Sequence, residues 1–383
     1  YLRGGSAATY GHLIVDNGVV SGHRRTILPS LGKGTARSGS GGATLVTGRS
    51  TAIPAYFVGH WVEVRDTTGA LKGSWRVSEI GVDGTSVILA GNIGDPVAVS
   101  EGDSWQGVYR FDAYTVRGDV QVVSLDPIRV YSEQVITGTV ETDAIHADRL
   151  VVKSGATLTQ RLTTSASSPE SLVIEVRELV VETGGLIDVS ARGYAAGVTY
   201  PGHRVSNDGA DGGSHLGEGG VWGTGFETFG SVYRPRENGG GDGVADTARG
   251  GGSIRVVAER VQVDGAIRAN GGVQCRGAAG GSVWITASTV SGVGQIEAKG
   301  GTGVASCFKP TSGGGGAIAI EYSTLEGNST LFDHLNAQGG SNATTGGAGT
   351  IYLFGPTATR GSLIVSNSDI PGNRRTILPS IGR

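Results

Sequence analysis

From Ser253 onward the chain repeats one pattern of apolar and polar positions: SIRVVAERVQVDGAIRANGG, then SVWITASTVSGVGQIEAKGG, then AIAIEYSTLEGNSTLFDHLNAQGG. A fourth copy, TIYLFGPTATRGSLIVSN, follows, and an earlier one, SLVIEVRELVVETGGLIDVSARG, begins at Ser171. Within each copy two short runs alternate with period two and are separated by a turn, which predicts two strands per copy. In the second run Ile187, Ile267, Ile296 and Leu335 share one face, and Val189, Ala269, Ala298 and Ala337 follow two residues later on that face. Asp188, Arg268, Glu297 and Asn336 lie between them and are expected to face water. Stacked in parallel, such copies build an inward aliphatic ladder and an outward polar one, as in a parallel β-solenoid (β-helix).

The steps from Ile254 to Val283, Ile318 and Ile351 are 29, 35 and 33 residues, so the copies differ mainly in their glycine loops. The runs Gly250–Gly252, Gly280–Gly281 and Gly313–Gly316 directly precede the first strand of a copy, where corners would need positive φ or close backbone approach. Residues 119–165 resume the alternation without long glycine runs. Residues 42–117 break it: YFVGHWVEVRD, GSWRVSEIG, TSVILAG and DSWQGVYRFDAYTV predict short strands joined by Gly, Asp and Asn turns. Trp61, Trp75 and Trp105 fall here, as a compact core of its own requires.

The expected fold is therefore all-β: a glycine-rich parallel β-solenoid carrying an inserted small antiparallel β-barrel or sandwich module. Residues 1–36 would close a preceding coil and form a joining motif, 37–117 the module, 118–361 the solenoid, and 362–383 the start of a next unit. That division rests on a repeat at the ends. Residues 12–33, HLIVDNGVVSGHRRTILPSLGK, align without gaps to residues 362–383, SLIVSNSDIPGNRRTILPSIGR, with 13 of 22 positions identical at an offset of 350. With one residue gapped, Tyr1-Leu2 also matches Tyr352-Leu353. A tandem array of units that bury their ends against each other gives this pattern; a duplication bracketing one domain is the alternative. The second block is expected to sit on its preceding coil as the first sits on Tyr1 and Leu2.

Composition sharpens the picture. Glycine supplies 69 of 383 residues, against a usual share of roughly 7%, without the Gly-X-Y spacing of collagen. A net charge of -3, with 31 basic and 34 acidic residues well mixed, leaves no footprint for nucleic acid or an anionic membrane. No apolar run is long enough to span a bilayer. The absence of Met suggests a piece of something larger.

The segments IDVSARGYAAG, DGGSHLGEGG, FGSVYRP, GGGSIRVVAERVQVDGAIRANGG, AAGGSVWITA and GGGGAIAIEY together resemble the glycine-rich repeat regions of very large bacterial surface proteins, over about residues 171–355. The resemblance implies a parallel β-helix of the pectin-lyase-like class, exported and often adhesive, and brings no catalytic motif or cofactor.

Candidate chemistry is sparse. Cys275 and Cys307 are 32 residues apart, close to one coil, so stacking would bring them together. A disulfide is the leading reading and fits an oxidising, extracellular location; free thiols and metal ligation are the alternatives. Asp208 and Asp211 in NDGADGGSH are weak calcium candidates, since the acidic pair occurs once; a solvated turn is the leading reading, with His215 a loop residue. The excursion from Gly219 to Ala248 carries Trp222, Phe226, Phe229, Tyr233, Arg234 and Arg236, which either pack on the scaffold or contact a ligand such as a surface polysaccharide. The doublets Arg24-Arg25 and Arg374-Arg375 recur once per unit and are expected at the seam between units, with a solvent-exposed basic turn as the alternative. No repeated carboxylate cluster, nucleophile triad or phosphate loop stands out. The leading expectation is a structural or adhesive, non-catalytic unit of an extracellular rod or filament, assembled head to tail with copies of itself. A secreted polysaccharide-active β-helix enzyme and a carbohydrate-binding module are the alternatives.

Overall fold

The alternating runs become strands of two parallel ladders. The computed structural model describes residues 1–3, 9–18, 25–91, 95–207, 209–243, 247–341, 344–368, 370 and 374–379. The long ladder runs His12–Asp16, Ala113–Arg117, Ile128–Ile136, Ala144–Val152, Leu172–Val181, Ser253–Val263, Ser282–Ser291, Ala317–Leu325 and Thr350–Phe354, each strand parallel to the next. The short ladder runs Arg25–Leu28, Gln121–Ser124, Thr139–Glu141, Thr157–Thr159, Leu186–Asp188, Ala266–Arg268, Gln295–Glu297 and Leu335–Asn336, again all parallel.

Registers follow the sequence pattern. Ile187 stands opposite Ile267, Ile267 opposite Ile296, and Ile296 opposite Leu335. From the long ladder Leu172, Ile254, Val283, Ile318 and Ile351 stack in the same way. Both rows belong to one buried apolar cluster, because period two sends every second side chain of each ladder to the same side. The polar row differs from expectation. Asp188, Arg268 and Asn336 are half-buried rather than open to water, and Glu297 is buried. Arg268 and Lys299 both approach the Glu297 carboxylate, at 3.2 and 2.7 Å. Burial alone would raise the Glu297 pKa, but hydrogen bonds from Lys299 and Asn270 and the two cations outweigh it and hold the carboxyl below its ordinary value.

The glycine runs are not corners. Gly250–Gly252, Gly280–Gly281 and Gly313–Gly316 have none of the left-handed φ values that mark the chain's glycine turns. They are buried extended segments lying one against another. Their hydrogen bonds show the geometry. Gly313 N–H donates to Gly301, Gly314 to Gly213, Gly315 to Gly347, and Gly316 to Ala298, so the direction returns to the same neighbouring segment after three residues. Ala278, Ala279, Gly280 and Gly281 do the same, donating to Gly272, Gly240, Gly314 and Ala269. A β-strand would alternate between two neighbours. A three-residue period is that of a polyproline-II-type helix, which has no internal hydrogen bonds and spends its N–H groups on its neighbours. Side chains cannot fit between such segments: a Cβ on Gly280 would lie 2.1 Å from the carbonyl oxygen of Ala298, and one on Gly314 1.9 Å from that of Gly217.

The strands Lys33–Thr35, Gly41–Gly42, Thr44–Val46, Trp61–Arg65, Leu71–Ile80, Ser86–Ala90, Val99–Ser100 and Ser104–Phe111 pair antiparallel. They enclose a separate core containing Trp75 and Trp105. Ser104–Phe111 serves both parts. Its first half is antiparallel to Trp61–Arg65, and Tyr109–Phe111 run parallel to Ile128–Val130. Ala113–Arg117 belongs to the long ladder, between His12–Asp16 and Ile128–Ile136.

Asp126 locks this corner. Its buried carboxylate accepts from Ser30 Oγ at 2.5 Å and Leu31 N–H at 2.9 Å, and lies 3.0 Å from His60 Nε2. The Arg129–Glu63 ion pair adds a second tie between ladder and antiparallel strands.

Candidate assembly interface

The two ends of the chain share one antiparallel bridge. At the first, Leu2 and His12 form an antiparallel bridge, with Leu2 N–H donating to His12 O at 2.9 Å and His12 N–H to Leu2 O at 2.7 Å. At the second, Ser362–Ile364 folds back antiparallel on Thr350–Phe354, and Leu353 stands opposite Ser362. In the repeat alignment Leu2 is the counterpart of Leu353 and His12 of Ser362, so the same residue pair makes the same bridge. On its other side His12–Asp16 pairs in parallel with Ala113–Arg117, Leu13 opposite Tyr114. Among the described residues Ser362–Ile364 pairs with Thr350–Phe354 alone. Leu363, Ile364 and Val365 are 43%, 43% and 45% exposed, whereas Leu13, Ile14 and Val15 are half-buried and Leu13 and Val15 pack on the main core.

The arginine-bearing halves of the two blocks contact different surfaces. Arg25–Leu28 is the first strand of the short ladder, with Arg25 Nε donating to Gln121 at 3.3 Å. Arg375 instead meets Glu218, Nη2 to Oε1 at 2.8 Å, while Thr376 bridges Gly217 and Ile377 N–H donates to Leu216 O. The hydrogen bond to Glu218 raises the pKa of the exposed Arg375. Among the described residues Arg374 makes only a 3.5 Å approach to Val221 O, and Arg24 lies outside them. Glu218 was not legible as a partner because 157 residues separate it from Arg375.

No family model, curated protein or solved structure matches this chain.

The aromatic excursion packs largely on its own scaffold. Phe226 and Phe229 are buried, Phe229 among Tyr194, Tyr200, His203 and His215, which withdraws both from any ligand surface. Arg236 and Arg234 lie 4.8 and 5.9 Å over the ring of Trp284, whose Nε1 donates to Glu321 at 3.0 Å. Tyr233 stays exposed, edge-on to Tyr352 at 4.9 Å, and Trp222 is half-exposed. The loop thus clasps the outer face of the long ladder.

Asp211 is not part of the solvated turn expected, while His215 is the loop residue expected but a buried one. Asp211 is fully buried and accepts from the N–H groups of Trp222, Gly223 and Gly225 and from Ser206 Oγ, so its carboxylate organises the excursion. Asp208 lies outside the described residues, among which no group of three possible metal ligands exists. His215 is fully buried, with Nδ1 2.9 Å from Gly280 O and Nε2 unpartnered. Burial lowers its pKa, and the nearby Glu237 opposes this. Cys275 and Cys307 form a disulfide with Cα atoms 5.4 Å apart, stapling adjacent glycine loops. Among the described residues no helix is long and apolar enough to cross a membrane.

Proposed function

We propose that the chain is one unit of a head-to-tail array, a glycine-rich parallel β-solenoid that works as an extracellular structural or adhesive rod. The carrying observation is the exposed Leu363-Ile364-Val365 edge, whose counterpart Leu13-Ile14-Val15 is covered by Ala113–Arg117. An open strand edge with apolar side chains is a template for another strand. In an array the next unit's copy of Ala113–Arg117 would cover it. The joining motif would then lie between units, its second arginine on Glu218 behind and Gln121 ahead, so that each copy of the motif in one chain displays half of the seam.

The disulfide supports an oxidising compartment, and the resemblance to bacterial surface repeats supports export. The reading requires no catalytic centre and no cofactor.

A two-unit polypeptide, made by following Arg383 with residues 34–383, tests it. Small-angle scattering should give one stiff particle of about twice the length, and the unfolding midpoint should rise above that of one unit. Two independent particles on a flexible joint, with an unchanged midpoint, would sink the array reading.

A further inference from the structure

A groove of about 530 Å³ lies where the antiparallel strands meet the long ladder, and its walls are unusually aromatic. Tyr1, Tyr56, Phe57, Trp61, Tyr109 and Phe111 line it together with two guanidinium groups, those of Arg76 and Arg110. Its volume is that of a small-ligand site, ~300–1,000 Å³. Tyr56 and Tyr1 are 69% and 63% exposed, so flat ring faces are open at its rim.

The charges are the informative part. Arg76 and Arg110 each lie over the ring of Trp61, at 4.9 and 4.8 Å, and Arg110 also sits 4.7 Å from the centroid of Tyr10 and 5.0 Å from that of Tyr131. Among the described residues neither guanidinium has a carboxylate within 4.0 Å, and Arg110 Nε is buried without a hydrogen-bond partner. Of the nearby acids, Glu63 is committed to Arg129, Asp126 to His60 and the Leu31 N–H, and Asp112 to the N–H groups of Tyr10 and Gly11, while Asp95 acts on Arg110 through space without an ion pair. Burial lowers the Arg110 pKa, a cost that a bound anion would offset. The aromatic rings hold these two cations in place without neutralising them, which leaves their N–H groups for an outside acceptor.

We propose that this groove binds an acidic saccharide, a uronate-containing oligosaccharide whose carboxylates take the Arg76 and Arg110 donors and whose sugar ring stacks on Tyr56. The aromatic rim favours a sugar over a bare anion, because pyranose C–H faces cover exposed rings while a planar carboxylate meets a guanidinium in two parallel hydrogen bonds. No lysine lines the groove, and its lining is not the run of backbone N–H groups that cradles phosphate. All of these lining residues belong to this one chain.

Calorimetric titration of the purified chain with short oligogalacturonate, oligomannuronate and hyaluronan fragments tests the proposal. Neutral galactose oligomers and oligoglutamate are the controls. Saturable binding of at least one uronate, weakened by salt and at least ten-fold tighter than either control, is expected. Arg76→Gln should weaken it at least ten-fold and Tyr56→Ala several-fold, with unfolding midpoints unchanged. No binding to any uronate, equal binding of the neutral sugar, or wild-type affinity in both variants would overturn the proposal. Equal binding of oligoglutamate would make the groove an acidic-peptide site and would overturn it too.

Discussion

Replacing Gly280 by alanine puts a methyl group where the packing has no room for one. The new Cβ would lie 2.1 Å from Ala298 O, 2.7 Å from Ala298 C and 2.8 Å from Gly316 N, all backbone atoms of neighbouring segments. An ordinary contact needs at least 3.4 Å, so the neighbours must move by more than 1 Å. Three buried hydrogen bonds fix them: Gly280 N–H to Gly314 O at 2.9 Å, Gly316 N–H to Ala298 O and Ala298 N–H to Asn336 O, both at 2.8 Å. Orphaning a buried backbone group costs about 1–3 kcal/mol. Breaking two of the three therefore predicts a loss of about 2–6 kcal/mol. Gly327→Ala is the matched control, since nothing lies within 4 Å of its Cβ position and its φ is not left-handed. It should be neutral or stabilise by about 0.4–1 kcal/mol through the unfolded chain. Chemical denaturation of the two variants reads the difference directly. Equal midpoints for Gly280→Ala and the unmodified chain would refute close segment packing as the reason for the glycine runs.

Three further outcomes are expected. Replacing both Cys275 and Cys307 by serine opens a 32-residue loop and should cost about 3–4 kcal/mol by chain entropy, seen as a lower denaturation midpoint that reductant no longer changes. Because His215 has a lowered pKa in the folded chain, the unfolded chain takes up the proton first. Stability is then complete above about pH 6.5 and falls as pH drops below it, and His215→Gln should flatten the slope between about pH 6.5 and 5. Asp126→Ala orphans the buried Leu31 N–H and the Ser30 and His60 donors, and should cost about 3–5 kcal/mol while reducing the near-ultraviolet circular dichroism of the tryptophan-rich strands.

The parts of the fold written locally were legible. Ile187, Ile267, Ile296 and Leu335 could be aligned because each copy of the pattern repeats the same environment, and a spacing of about one copy sufficed to bring Cys275 and Cys307 together. The glycine runs announced a backbone requirement but not which one, since left-handed φ and close approach select the same residue. Three-fold hydrogen bonding, as of Gly314 with Gly213 and of Gly347 with Glu218, joins segments 101 and 129 positions apart and leaves no periodic mark in any one of them. Asp211 looked solvated, and the burial of His215 could not be foreseen, because their partners are mainly backbone N–H and C=O groups, which every residue carries. At the candidate seam the arginine doublets were visible, while Glu218 and the apolar edge at Leu363 needed the structure. The groove between Tyr56 and Arg110 was invisible for the same reason, being assembled from both ends of the antiparallel strands and the first residues of the chain.

The register at the seam of the two-unit polypeptide, determined by electron cryomicroscopy, is the most direct measurement of the array reading. Because Leu13 stands opposite Tyr114 in parallel, Leu363 should stand opposite the second unit's counterpart of Tyr114, with Leu353 still bridged to Ser362 on the other side. A seam in which Ser362–Ile364 keeps an open edge, or pairs antiparallel with any segment of the second unit, would contradict it.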